Sequence, residues 1–225
     1  MKGIDTTVVL ATSNPGKLAE FRSLLAGVPI ELVSAAEALG EMPLVVEDGE
    51  TFEENAIKKA RAIADAALMI TLADDSGLEV DVLRGAPGVR SARYAGERAI
   101  DAENNGALLD ALRDVPQGER TARFRCVLCV IDPWSGDEPT MVLADGACEG
   151  AIARSPRGSG GFGYDPLFVV EGGDRTMAEL SDEEKNAVSH RARAVAALRP
   201  KLMQMLDERA ATTERISMIH PSSED

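Results

Sequence analysis

Few folds accommodate the stretch Leu72-Ala73-Asp74-Asp75-Ser76-Gly77-Leu78-Glu79-Val80-Asp81. Met69 to Ala73 reads as an apolar strand that ends in two adjacent acids. Ser76-Gly77 reads as a turn, and Leu78, Val80 and Val82 alternating with Glu79 and Asp81 read as a second, half-buried strand. Carboxylates crowded at such a junction suit a hard cation such as Mg²⁺. That ion takes oxygen ligands and needs only one or two protein carboxylates when substrate phosphates complete its shell. The plainer reading is an Asx-type turn with two solvated acids. Both stand on this stretch alone.

The segments before it alternate strand and helix. Thr6 to Thr12 is a short β-branched strand, followed by Ser13-Asn14-Pro15-Gly16-Lys17 and by Leu18, Phe21, Leu24 and Leu25 at helical spacing. Asn14 suits the N-cap, Pro15 the first helical position, and Gly27 the stop. A strand feeding a helix N-terminus with small residues and one lysine offers free N–H groups and a positive dipole end to an anion. It is not a P-loop, because Ala11 and Leu18 stand where that motif needs glycine and Ser/Thr. Thr51 and Glu54 spell a capping box for a helix through Ala56, Ile63 and Ala67. Glu47 and Asp48 lie in the loop before it, placed to add a carboxylate to a metal site or to favour the helix electrostatically. The pattern is α/β.

Farther on, Gly85-Ala86-Pro87-Gly88 reads as a turn and Asp101 as the cap of a helix through Leu108 and Leu112. Strands are expected over Ala122 to Asp132, Pro139 to Ala144 and Glu149 to Ala153, forming an antiparallel lobe beside the first. Arg157 to Pro166 packs four glycines around Phe162, Tyr164 and Asp165 before a strand from Leu167 to Val170. Such a loop allows close backbone approach, and its aromatic faces can stack on a planar ring. Ser181 to Glu184 opens a helix. Lys185, His190 and Arg191 flank a break near Ser189, from which they can point into a cleft, and Pro200 is expected to kink the helix that follows.

Bulk properties narrow the function. The 225 residues are 44% hydrophobic and 28% charged, enough for one large domain or two lobes. A net charge of −14 argues against a nucleic acid polymer as partner, while free nucleotides remain admissible if local cations and Mg²⁺ neutralise them. No apolar run reaches membrane length and no signal-type region precedes the first strand, so a cytoplasmic location is expected. Three cysteines argue against a disulfide framework; Cys126 and Cys129 fall on opposite faces of one strand and read as core. From about Ala210 the composition turns to Ser, Thr and acids, and a disordered tail over 208–225 is expected beyond a domain of residues 1–207.

Taken in order, ATSNPGK (11–17), EDGETFEENA (47–56), ADDSGLEVD (73–81), GAPGVRSARYAG (85–96), GGFGYDPLF (160–168) and SDEEKNAVSHR (181–191) resemble the inosine triphosphate pyrophosphatase family over about Val8 to Leu206. The resemblance implies a mixed central sheet in two lobes with a substrate groove between them, and a homodimer. It implies Mg²⁺-dependent hydrolysis of free non-standard purine nucleoside triphosphates (ITP, dITP, XTP) to the monophosphate and pyrophosphate. It implies that Thr12, Ser13, Asn14, Pro15, Gly16 and Lys17 hold the triphosphate, that Asp75 binds the metal and acts as general base, and that Glu47 adds a metal ligand. Ser76 would touch substrate. Phe162, Gly163, Tyr164 and Asp165 would line the base pocket, completed by Lys185, His190 and Arg191. A pyrophosphatase for other modified nucleotides and a non-catalytic nucleotide-binding module are the alternatives; the presence of Asp74, Asp75 and Glu47 counts against the second.

Overall fold

The computed structural model describes residues 6–134 and 138–219, with side chains to 215. Its centre is a six-stranded mixed sheet in the order β2-β1-β3-β4-β5-β6. These strands are β1 (Thr6–Leu10), β2 (Ile30–Ser34), β3 (Thr71–Val80), β4 (Thr121–Asp132), β5 (Thr140–Ile152) and β6 (Phe168–Val170). β1 is parallel to both β2 and β3, and every pairing from β3 outward is antiparallel. Helix α1 (Pro15–Leu24) links β1 to β2, and α2 (Ala35–Leu39) and α3 (Phe52–Ala67) link β2 to β3. α4 (Asp101–Ala111) stands at the far end of the molecule, and α5 (Asp182–Val188) and α6 (His190–Ile219) close the chain.

Apolar side chains bury both faces of the sheet. Phe21 of α1 with Val195, Leu198 and Leu202 of α6 covers one face. Ala56, Ala60 and Ile63 of α3 cover the other. A third cluster joins Leu108 of α4 to Leu78, Phe124, Tyr164 and Phe168, and makes the second lobe. Cys126 and Cys129 are both buried, one against α6 and one against α3, and burial pushes both thiols up, away from reactive thiolate.

The structure corrects several expectations. Ser76-Gly77 is no turn: β3 runs unbroken from Thr71 to Val80 and pairs residue for residue with β4. Gly77 is small because other chain segments press on it. A Cβ there would lie 2.5 Å from Ser91 Oγ and 2.6 Å from Gly88 O. The strand ends at Val80, and Val82 belongs to a 3₁₀ turn, Asp81–Leu83. β5 is one strand of 13 residues where two were expected, continuous through Gly146 because the backbone of α6 approaches it there. β2 and α2 carried no separate signal. Asp101 is the first residue of α4, not its cap. The expected tail begins inside a helix, since α6 continues to Ile219 and Arg209 pairs with the buried Asp132 at the end of β4. Residues 220–225 of that expected tail, and residues 135–137 between β4 and β5, lie outside the described residues.

Candidate functional site

The sheet opens where its connectivity reverses. From β1 the chain passes to β2 on one side, then returns to β3 on the other. β1 and β3 pair only through Val9–Thr71 and Leu10–Leu72; beyond these residues the chain turns into α1 while β3 continues. The edge of β3 from Ala73 onward thus borders a crevice at the carboxyl ends of parallel strands, the usual ligand position in α/β sheets.

Alternation along β3 sends Asp74 and Asp75 to opposite faces. Asp74 is 1% exposed and accepts two bonds from Lys17 Nζ, at 2.9 and 3.0 Å, and one from Ser76 Oγ at 3.2 Å. Arg191 lies 3.7 Å away and also donates to Ser76 Oγ at 3.0 Å and Glu20 Oε2 at 3.2 Å. Burial alone would raise the Asp74 carboxyl, but Lys17, Arg191 and Lys59 outweigh it and hold the group well below the usual carboxylate range.

Asp75, on the other face, is 7% exposed. Its Oδ1 accepts from Lys59 Nζ at 3.1 Å and its Oδ2 from Asn55 Nδ2 at 3.2 Å. The same Lys59 nitrogen lies 3.1 Å from Glu47 Oε2. Asn55 Oδ1 accepts from Gly49 N at 2.8 Å, and Arg93 donates to the Glu47 carbonyl at 2.8 Å, so the acidic loop is pinned from two sides. Burial pushes the Asp75 carboxyl above its ordinary range despite the pull of Lys59. Lys59 itself keeps its proton, because Asp75, Asp74 and Glu47 outweigh its own burial.

Two carboxylates converging on one ammonium make an electronegative focus, and their oxygens are what Mg²⁺ takes. No cluster of three or more His, Cys, Asp or Glu with metal-binding potential occurs among the described residues. Glu47 and Asp75, which share Lys59, are the carboxylate pair here that could hold such an ion, with its remaining ligands left to phosphate and water. Asp48 points elsewhere, into an exposed pair with Lys58 at 2.6 Å.

Beside Asp74 a cavity of about 320 Å³ runs between the lobes. Thr12, Asn14, Lys17, Ser76 and Arg191 line it beside Asp74, and Phe162, Gly163, Tyr164, Asp165 and His190 line the rest. Asp165 accepts from Lys185 Nζ at 2.9 Å and from Phe162 N at 3.1 Å. The Phe162 ring lies 5.1 Å from Lys185 Nζ and 5.0 Å from Arg191 Cζ, cation–π distances that leave an aromatic face over two cations. His190 stacks on Phe124 at 4.8 Å, and its Nδ1 is buried without a hydrogen-bond partner. Burial, with Arg191 and Lys185 nearby, holds this histidine well below its ordinary range and so neutral.

The expected anion site at α1 is already partly satisfied. Asn14 Oδ1 accepts from Gly16 N at 2.8 Å and Lys17 N at 3.2 Å, so those N–H groups face their own cap. Ser13, Pro15 and Gly16 are exposed and do not line the cavity. Tyr164 donates its hydroxyl to the Ser91 carbonyl at 2.8 Å and serves as buried wall.

A sequence model described as the Ham1 family matches residues 8–201. The chain belongs to the Ham1 family. Among relatives, a dITP/XTP pyrophosphatase of Geobacter sulfurreducens is 53% identical over 197 residues, 88% of this chain and 96% of that one. The structure of a HAM1 protein from Coxiella burnetii superposes with a TM-score of 0.77 at 43% identity, covering 90% of this chain and 99% of that chain. A nucleoside-triphosphatase, or dITP/XTP pyrophosphatase, of Mycobacterium abscessus superposes at 0.69 with 47% identity, over 85% and 98%. The mixed sheet is the Ham1 fold.

Sequence reasoning overlooked four residues of this Ham1 site: Asn55, Lys59, Asp101 and Asn104. The first two carried a readable signal. Phe52, Ala56, Ala60 and Ile63 trace the buried stripe of α3, and Asn55 and Lys59 fall inside that stripe. Polar side chains on a buried face must meet partners there. Asp101 and Asn104 had no comparable marker: Asp101 meets Gly163, 62 residues away, and Asn104 holds the irregular segment just before α4.

Proposed function

We propose that the chain hydrolyses dITP, XTP and ITP to the nucleoside monophosphate and pyrophosphate. The carrying observation is the pair of sites on β3: a buried carboxylate, Asp75, on one face, and a ring-sized cavity with a cationic mouth, Lys17 and Arg191, on the other. Relatives at about half identity bear the name dITP/XTP pyrophosphatase, which supports this substrate class.

In this reading the base enters between Phe162 and the His190 side of the cavity. The buried Nδ1 of His190 is a polar atom left unmatched there, and Phe162 offers the stacking face. Lys17 and Arg191 meet the phosphate oxygens and offset their charge, with Asp74 fixing the position of both. A water oxygen attacks the α-phosphorus, pyrophosphate leaves, and Asp75 takes the proton of that water. Its raised basicity in a buried setting suits that role. Glu47 and Asp75 would hold Mg²⁺, which when bound supplies Lewis-acid polarisation of the phosphate oxygens. Attack at the α rather than the γ position rests on the family resemblance. A homodimer and a cytoplasmic location belong to the same reading. Among the described residues no helix is long and apolar enough to cross a membrane, and sedimentation of the full chain tests the dimer.

The experiment is a panel of dITP, XTP, ITP, ATP and GTP, with and without Mg²⁺, with products identified. Monophosphate and pyrophosphate should form from the first three, and only with the metal. Release of orthophosphate, or equal turnover of ATP, overturns the reading.

A further inference from the structure

α4 stands outside the sheet, and its first turns grip both loops that wall the cavity. Gly163 has a φ of +64°, in the left-handed region, with nothing within 4 Å of where a Cβ would be. Its two peptide groups are held from opposite ends. Asp101 Oδ2 accepts from Gly163 N at 2.7 Å, and Asn105 Nδ2 donates to Gly163 O at 2.9 Å. Asp101 and Asn105 are four residues apart, which puts them on one face of the helix. Between them the buried Asn104 bridges the other wall, accepting from Ala95 N at 2.9 Å and donating to Ala92 O at 3.1 Å. Tyr164 then ties the two walls together through the Ser91 carbonyl.

The grip on Gly163 bears directly on Phe162. That ring is the neighbour of the clamped residue, and its N–H already donates to Asp165. Glycine takes positive and negative φ about equally readily, so an unheld glycine is a mobile backbone link. Left free, it would let Phe162 swing off Lys185 and Arg191. Asn105 leaves its own Oδ1 buried without a partner in order to donate from Nδ2.

We propose that Asp101 and Asn105 are positioning residues for base recognition, clamping both peptides of Gly163 so that Phe162 is held ready over the base. The proposal rests on the reading that the cavity takes the base of a nucleoside triphosphate. The clamp acts in binding and leaves the phosphates to other residues. Its loss should raise KM and spare kcat.

The test compares the full-length parent with Asp101→Ala, Asp101→Asn and Asn105→Ala, using dITP and XTP with saturating Mg²⁺ and thermal unfolding as the check on folding. Loss of a charge-assisted bond predicts a KM rise of roughly tenfold in Asp101→Ala, with kcat within about threefold of the parent. Asp101→Asn keeps an acceptor oxygen and should recover most of the affinity; Asn105→Ala should lie between them. If Asp101 merely supports the helix end, Asp101→Asn and Asp101→Ala will lower the melting temperature alike and leave KM unchanged, which overturns the clamp. Equal KM values in the parent, Asp101→Ala and Asn105→Ala overturn it too. A parent inactive on dITP and XTP instead refutes the functional reading, so the two failures are distinguishable.

Discussion

Asp74 and Asp75 are adjacent on β3, yet Lys17 holds the first at 2.9 Å on one face and Lys59 holds the second at 3.1 Å on the other. The strand separates two tasks that one acidic turn would have merged. Asp74, charged and enclosed by cations, fixes the positions of Lys17 and Arg191. Asp75, pushed toward higher proton affinity by burial, is the better base.

Asp75→Asn should keep the fold, because the amide oxygen can still accept from Lys59, although the bond from Asn55 is lost. The amide cannot accept a proton. The loss expected for a general base is ~10²–10⁴-fold in kcat. Steady-state kinetics with dITP at saturating Mg²⁺ measure it, and a variant within threefold of the parent would exclude Asp75 as the base.

Glu47→Gln and Asp48→Asn separate the two acids before α3. Glu47 shares Lys59 with Asp75, while Asp48 pairs with Lys58 at the surface. The half-saturating Mg²⁺ concentration should rise about tenfold or more in Glu47→Gln, as for the loss of one charged ligand contact. It should not move in Asp48→Asn. A shift in the second variant alone would transfer the ligand role to Asp48.

His190 predicts a pH signature in stability. Its folded pKa lies well below 6.5, so the unfolded chain binds the proton first. Stability is therefore retained above about pH 6.5 and is lost as pH falls below it, by up to ~1.4 kcal/mol per pH unit until the folded pKa is reached. Denaturant unfolding from pH 7.5 down to 5.5 should show this slope in the parent. His190→Phe keeps the stacking on Phe124 but cannot titrate, and its profile should be flatter. Parallel profiles would mean that the histidine is not buried as described.

Gly146→Ala tests how closely α6 sits on the sheet. The added Cβ would lie 2.5 Å from the His190 carbonyl, against backbone that cannot rotate away. Overpacking of this kind costs about 1–3 kcal/mol. Because the pressure falls on the start of α6, KM for dITP should rise as well. A variant as stable as the parent would show that the helix yields freely there.

Short-range chemistry was legible in the sequence. Asn14 and Pro15 start α1, Ser181 starts α5, and the chain breaks at Ser189, because caps and helix breaks depend on residues within one turn. The opposite burial of Cys126 and Cys129 followed from strand alternation alone. Motif order gave the family. Tertiary structure decided what depends on contacts between distant segments. Ser76-Gly77 looks like a turn by composition, but ten consecutive pairings with β4 extend it into a strand, with Ser91 and Gly88 filling the space beside Gly77. The same pairings set Asp74 and Asp75 on opposite faces, and only the packing of α3 brings Lys59 between Asp75 and Glu47. α4 reaches Gly163 across 62 residues of chain, a contact that no local pattern encodes.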